Sequence, residues 1–419
     1  MRFLFSMLFW LIYFPILRIL ALFLFWNSKV EERERFEKRN KFEYLAQSFK
    51  EWNEVADLCF EFSSEGEYQQ VAPLIQDALL VGKKIELIFF SPSVEKAIMK
   101  LAQEYPRQIR YLRYPLVRLF PFIPRRSLIH WITAKKMIMV RYDLFPDLLL
   151  WSMKKDHELR IIWMTFKKER SRGKAPSFWK KLFLKNSSRI VFAGAPDLKQ
   201  GTELGYKGEV FDFRIEQIRR RVQNKEVKFK EQFKLDPDFK IHLNKHSKRV
   251  ILGNAWPSDL FLLRDLPKEY LLVIVPHQLS TEIINLFKEG LDNLGRETFE
   301  LTSATTQYQE APTVLINMKG ILCELYADFP YSYVGGGFEG SIHSVLEPLV
   351  ASSGQLACGP FHHRSTEYDI AEEFKRISEV NTPDEFINWL NSHAENSDHV
   401  RMDSLINGYE SLREYVISC

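Results

Sequence analysis

With 419 residues, 46% hydrophobic and 27% charged, the chain has the make-up of a globular protein and exceeds the size at which one core usually stops growing. Its net charge of +4 is too small to argue for a nucleic-acid partner, and no nucleic-acid motif stands in it, though a mildly basic balance suits phosphorylated substrates beside an anionic membrane. Cys59, Cys323, Cys358 and Cys419 lie far apart with no C-x-x-C spacing, so neither a zinc site nor a disulfide framework is expected and a reducing cytoplasm is the simplest setting.

The first element is the predominantly apolar run from Phe3 to Trp26, whose single charge is Arg18. About 20 such residues cross a bilayer core. Its end, Phe23-Leu24-Phe25-Trp26, is too bulky for a signal-peptide cleavage site, so residues 1–28 are expected to form a retained membrane anchor. Pro15 and Arg18 leave a clean span and an interfacial insertion both open.

Behind it, apolar runs of strand length alternate with amphipathic helical stretches. They are LCFEFS (58–63), IELIFF (85–90), MIMVRY (137–142), RIIWMTF (160–166) and RIVFAG (189–194). A charged, turn-poor stretch from Arg219 to Lys248 reads as a connector. The alternation resumes with RVILGNAW (249–256), YLLVIVPH (270–277), TVLIN (313–317), YSYVGGG (331–337) and QLACGP (355–360). This pattern predicts an α/β protein of two Rossmann-like domains: an N-terminal domain over 29–222, a linker over 223–248 and a C-terminal domain over 249–419. Such sheets place ligand loops at the carboxyl ends of their strands, so function is sought there.

The sharpest local signal is Tyr333-Val334-Gly335-Gly336-Gly337-Phe338-Glu339-Gly340-Ser341-Ile342-His343-Ser344-Val345-Leu346-Glu347-Pro348. Three glycines after a buried strand let backbone approach a ligand, and Ser341 to Ser344 are expected to open a helix whose N–H groups attract phosphate. Glu347, about one turn further, can accept hydrogen bonds from ribose hydroxyls. A glycine triplet alone is equally a tight turn. Two more post-strand loops, Pro276-His277-Gln278 and Gly359-Pro360-Phe361-His362-His363, have the same character.

The order GGGFEGSIHSVLEP then CGP resembles the G-G-x-F, G-x-H-N-x-L-E and G-P motifs of the 3-deoxy-D-manno-octulosonic acid (Kdo) transferases. These bacterial enzymes add Kdo from CMP-Kdo to the lipid A precursor. GNAWPSDLFLL and VIVPHQLSTEII extend the likeness across the C-terminal half. The resemblance implies a GT-B arrangement with nucleotide contacts from Pro276, His277, Lys319, Gly320, Ile321, Ser344, Val345, Leu346 and Glu347. It also implies sugar contacts from Ser91, Ser93, Gly336 and Gly337.

The N-terminal half matches more loosely. Ser63-Ser64-Glu65-Gly66-Glu67 falls on the family's S-x-G-E, which puts Glu67 at the general base, with Glu65 as its rival. Val140-Arg141-Tyr142-Asp143 falls on its E-x-E, which puts Asp143 at the second acid. Where the family has Lys or Arg to meet the departing phosphate this chain has Phe211, and Arg214 is the candidate replacement. Ser344 stands where the family has Asn.

The implied partners are CMP-Kdo, a lipid A precursor and the cytoplasmic face of the inner membrane. No cofactor is implied. The D-x-D match Asp236-Pro237-Asp238 lies in the linker, which favours a metal-independent reaction, and a single direct displacement at the anomeric carbon implies inversion. Two alternatives stand beside this: a membrane-associated GT-B transferase for another sugar nucleotide, and a catalytically silent relative that binds nucleotide or lipid.

Overall fold

The computed structural model describes residues 55–114, 131–141, 145–166, 174–363, 365–392, 408–410 and 412–417, together with 28, 31, 32, 35 and 36. The anchor expected over 1–28 therefore lies outside the described residues but for its last position. Among the described residues no helix is long and apolar enough to cross a membrane.

The chain divides into two compact units, 1–214 with 408–419, and 215–407. In the first, a seven-stranded sheet has the order β3-β2-β1-β4-β5-β6-β7. Its strands are β1 Leu58–Phe62, β2 Ile85–Phe89, β3 Ile109–Arg113, β4 Lys136–Val140, β5 Glu158–Met164, β6 Ser187–Phe192 and β7 Glu209–Val210. Every pairing is parallel. Alternate residues of β1 to β6 enter two cores. Cys59, Ile88, Met137 and Ile161 lie on one face, and Phe60, Leu87, Ile138 and Ile162 on the other. Burial on both faces is why these strands read as continuous apolar runs.

β3, IRYLR, escapes that pattern because two arginines break its run. Arg110 sits beside Glu86 of β2 in register, and its Nε donates to Glu86 Oε1 at 2.9 Å. The same carboxylate accepts from the backbone of Thr133 and Ala134. A buried charge pair is tolerable when its remaining lone pairs are filled in this way.

The second unit carries another seven-stranded sheet, ordered β10-β11-β9-β8-β12-β13-β14 and parallel throughout. Its strands are β8 Arg249–Ala255, β9 Leu271–Pro276, β10 Thr298–Thr302, β11 Thr313–Asn317, β12 Tyr331–Val334, β13 Gln355–Cys358 and β14 Ile377–Glu379.

Three boundaries differ from the sequence reading: residues 215–222, read with the N-terminal domain, belong to the second unit, where Ile215 and Ile218 are core. The stretch read as a linker folds into helical segments, Lys225–Val227, Lys228–Gln232 and Pro237–Lys245, whose Phe229, Phe233, Phe239 and Leu243 are buried in the second unit's core. Its many lysines hide four core residues spaced for helical packing. The closing residues, read with the C-terminal domain, belong to the first unit. Tyr409, Leu412, Val416 and Ile417 join its core, and the Tyr409 hydroxyl donates to Asp77 Oδ2 at 2.7 Å.

Candidate functional site

In each sheet the chain steps outward from a central strand in one direction and then returns to that strand's other side. The break falls between β1 and β4 in the first unit, and between β8 and β12 in the second. Ligands of open parallel sheets bind beyond the carboxyl ends of the strands at such a break.

At the first break, Ser63-Ser64 follow β1 and the helix Glu65–Leu80 begins. Ser64 and Glu67 stand at capping-box spacing, and Glu67 Oε2 accepts from the Ser63 backbone N–H at 2.6 Å. Capping accounts for an acid here. It does not account for the rest of the surroundings. Glu67 is 8% exposed, and its Oε1 lies 3.8 Å from Nη1 of Arg141, the residue after β4. Burial pushes the Glu67 carboxyl up from its ordinary range, while the Ser63 N–H and then Arg141 pull it back.

The Arg141 guanidinium stacks on Trp163, 3.6 Å from the ring centroid, and the Arg214 guanidinium lies 5.2 Å from the same ring. Arg214 is tied to Asp212, with Nη2 to Oδ2 at 2.6 Å, and Gln70 Nε2 donates to Asp212 Oδ1 at 3.0 Å. Glu67 and Arg214, 147 residues apart, thus meet through Arg141 and Trp163, which the sequence reading did not select as site residues. Nothing local marks Trp163, one more large apolar residue in the run RIIWMTF. Phe211, by contrast, is core: it is 3% exposed and packs edge-on to Phe213 at 4.9 Å.

Ser91 and Ser93 follow β2. The Ser91 N–H donates to Ser63 O at 2.8 Å, and the two hydroxyls lie 2.8 Å apart. The loops after β1 and β2 are therefore joined beside Glu67. Asp143 lies outside the described residues.

At the second break, the loop after β8 meets the glycine loop after β12. A Cβ on Gly335 would come within 2.4 Å of Asn254 O, one on Gly337 within 2.5 Å of Gly359 Cα, and Gly336 holds φ +93°. Only glycine allows this approach. Beneath the loop, fully buried Asp259 accepts from the Trp256 N–H at 2.7 Å and the Tyr333 hydroxyl at 2.9 Å. Burial pushes its carboxyl up to about 6 against the pull of these bonds and of the Gly336 N–H. The sequence reading missed Asp259, although Trp-Pro-Ser-Asp has the N-cap to N3 spacing that announces it.

Three rings stack here. His277 and His343 lie 4.0 Å apart at 20°, and Trp256 lies 5.1 Å from His277. Trp256 Nε1 donates to His343 Nε2 at 3.2 Å, so the His343 proton belongs on Nδ1 at neutral pH. Burial, then the neighbouring His277, lowers His343 to about 4.

The other nucleotide candidates separate. The helix expected to open at Ser341 begins at Leu346, because Glu367 accepts from both the Ser344 hydroxyl at 2.9 Å and the Leu346 N–H at 3.0 Å. A carboxylate holds the place that a phosphate was expected to take. Ile321, Val345 and Leu346 are buried in the core and offer backbone alone. Pro276 is buried at the end of β9, and Lys319 is exposed beyond β11. Gly320, at φ +82°, presents its carbonyl to Arg221 at 3.1 Å, and Glu347 lies 3.5 Å from the same arginine.

No family model matches the sequence. No curated protein matches it either. Among solved structures, a UDP-GlcNAc 2-epimerase from Neisseria meningitidis, bound to UDP-GlcNAc, is similar over 86% of this chain and 94% of its own, with 12% identity and a TM-score of 0.54. A glycosyltransferase from Rickettsia africae ESF-5 is similar over 88% and 100%, with 10% identity and a TM-score of 0.50. The C-terminal CMP-Kdo binding domain of WaaA from Acinetobacter baumannii matches 49% of this chain and 98% of its own, with 17% identity and a TM-score of 0.31. The first two likenesses show the fold alone: two parallel-sheet α/β units, consistent with GT-B.

Proposed function

We propose that the chain is a glycosyltransferase that moves Kdo from CMP-Kdo to a lipid A precursor at the cytoplasmic face of a bacterial inner membrane, held there by residues 1–28. The observation that carries the reading is the run from Gly335 to Glu347. Its motif order is that of the Kdo transferases, and it follows β12 at the strand break of the second unit.

That a protein of the same fold is bound to UDP-GlcNAc supports a nucleotide sugar as the donor. In this reading the loops at Pro276-His277, Lys319-Gly320 and Gly335 to Glu347 hold CMP. Glu67 takes the proton of the acceptor hydroxyl as that oxygen bonds to the anomeric carbon, and the CMP phosphate leaves from the opposite side. A single displacement inverts the anomeric centre. Arg214, with Asp143, is assigned to stabilise charge in the transition state.

Purified full-length protein given CMP-Kdo and a tetraacylated lipid A precursor is expected to release CMP and form Kdo-lipid. Glu67→Ala should lower kcat by about 10²–10⁴-fold while CMP binding persists. Consumption of a UDP-sugar instead would assign another donor. CMP binding with no turnover would make the chain a binding module.

A further inference from the structure

The backbone around Arg141 is unusual in two adjacent strands. Arg141 holds φ +61° where β4 ends, and Trp163 holds φ +54° inside β5, at the register shift between Ile161 and Met164. Side chains larger than glycine rarely adopt this left-handed conformation, and a bulge re-aims the side chain it carries. The Arg141 N–H still donates to Ile162 O at 2.9 Å, so the ladder persists while both side chains turn toward each other. The outcome is a guanidinium over an indole, 3.6 Å from its ring centroid, with its Nη1 3.8 Å from Glu67 Oε1.

Strain in two neighbouring residues is retained where surrounding structure enforces it, and such places cluster at working sites. A lone surface ion pair would not need it. A long arginine left to solvent samples many rotamers, and pinning it costs side-chain entropy that the indole face offsets.

We propose that Arg141 is a positioning residue for Glu67: Trp163 fixes the guanidinium, and the guanidinium fixes the charge and direction of the carboxylate. The inference rests on the reading of Glu67 as the base. Ser63 holds one oxygen through its N–H, and Arg141 stands over the other, the oxygen that would meet the acceptor hydroxyl. Among the described residues, Arg141 is the charged group set against Glu67 from β4. Arg214 with its partner Asp212 lies at the Trp163 ring, and Glu65 is the neighbouring acid on the helix of Glu67 itself. Removing Arg141 leaves a buried carboxylate without its cation, so the protonated form gains.

The test follows the Glu67 carboxyl by carbon NMR in full-length protein carrying carboxyl-labelled glutamate, with Glu67→Gln identifying the signal. Arg141→Gln is expected to raise the titration midpoint by about one unit, and Trp163→Leu to raise it in the same direction. Arg141→Lys should keep the midpoint near that of the parent while kcat for Kdo transfer falls, because an ammonium supplies charge without the stacked plane. The acid limb of the kcat/KM profile should move with the midpoint in Arg141→Gln. A midpoint unchanged in Arg141→Gln overturns the proposal. Full turnover in Glu67→Gln overturns the base assignment instead, and the titration, which needs no turnover, keeps the two failures distinguishable.

Discussion

Asp259 and His343 lie on either side of Trp256, and burial acts on them with opposite sign. Asp259 is pushed up to about 6 from its ordinary 3.8. Across that window the folded protein holds a proton that the unfolded chain has released. The stability this group contributes is full below 3.8 and is lost as pH rises through about 6. His343 is lowered from 6.5 to about 4, so the unfolded chain takes up a proton that the folded one refuses. Its contribution is present above 6.5 and is lost as pH falls toward about 4. The two slopes oppose each other over the range they share. Asp259→Asn should therefore leave a protein that loses stability on acidification, and His343→Gln one that gains it. Urea melts at about pH 4.5 and 6.5, compared between each variant and the parent, read both slopes directly. Equal slopes in parent and variants would show that neither group titrates in this way.

Residue-level chemistry is also where the sequence is least legible. Glu67 is visible because its motif is local. Arg141 is not, because its role depends on Trp163, two strand ends and two left-handed backbones. Asp259 lies between: its capping spacing to Trp256 is written in four consecutive residues, yet its bond to Tyr333 crosses 74 positions.

Among the elements, the glycine loop is the one whose sequence and geometry agree most closely. Gly337 packs against Gly359, and the Phe361 N–H donates to Gly337 O at 2.9 Å, so the loops after β12 and β13 form one surface. Gly337→Ala would drive a methyl into backbone that cannot move aside cheaply. It is expected to destabilise the second unit by about 1–3 kcal/mol and to weaken CMP binding, measured by thermal melts and calorimetric titration. Unaltered binding would detach this loop from the donor.

The ten strand segments read from sequence are all strands, because a buried parallel strand is an apolar run long enough to recognise. β3, β7, β10 and β14 are not legible in this way. β3 carries Arg110 and Arg113, β10 is half-exposed with polar threonines, and β7 and β14 are too short to show a period. The late start of the helix at Leu346 has a tertiary cause as well. It depends on Glu367, in the first turn of the helix Thr366–Glu373, reaching Ser344 and the Leu346 N–H.

At the scale of the molecule, both units repeat one device: a parallel sheet whose strand order breaks beside its first strand, with the candidate site loops at that break. The first unit gathers Glu67, Arg141 and Arg214 there. The second gathers the glycine loop, His277 and His343. The closing residues, though they follow the second unit in sequence, complete the first unit's core beside Phe211 and Phe213. That return is invisible to a reading that advances along the chain, since nothing local marks which core a terminal helix will join.

The central claim is that the second unit's loops hold a cytidine nucleotide. A crystal structure of the full chain soaked with CMP tests it most directly. The nucleotide is expected on the loops between Pro276 and Glu347, its phosphate at the Gly335 to Gly337 backbone. CMP bound elsewhere, or absent at saturating concentration, would contradict it.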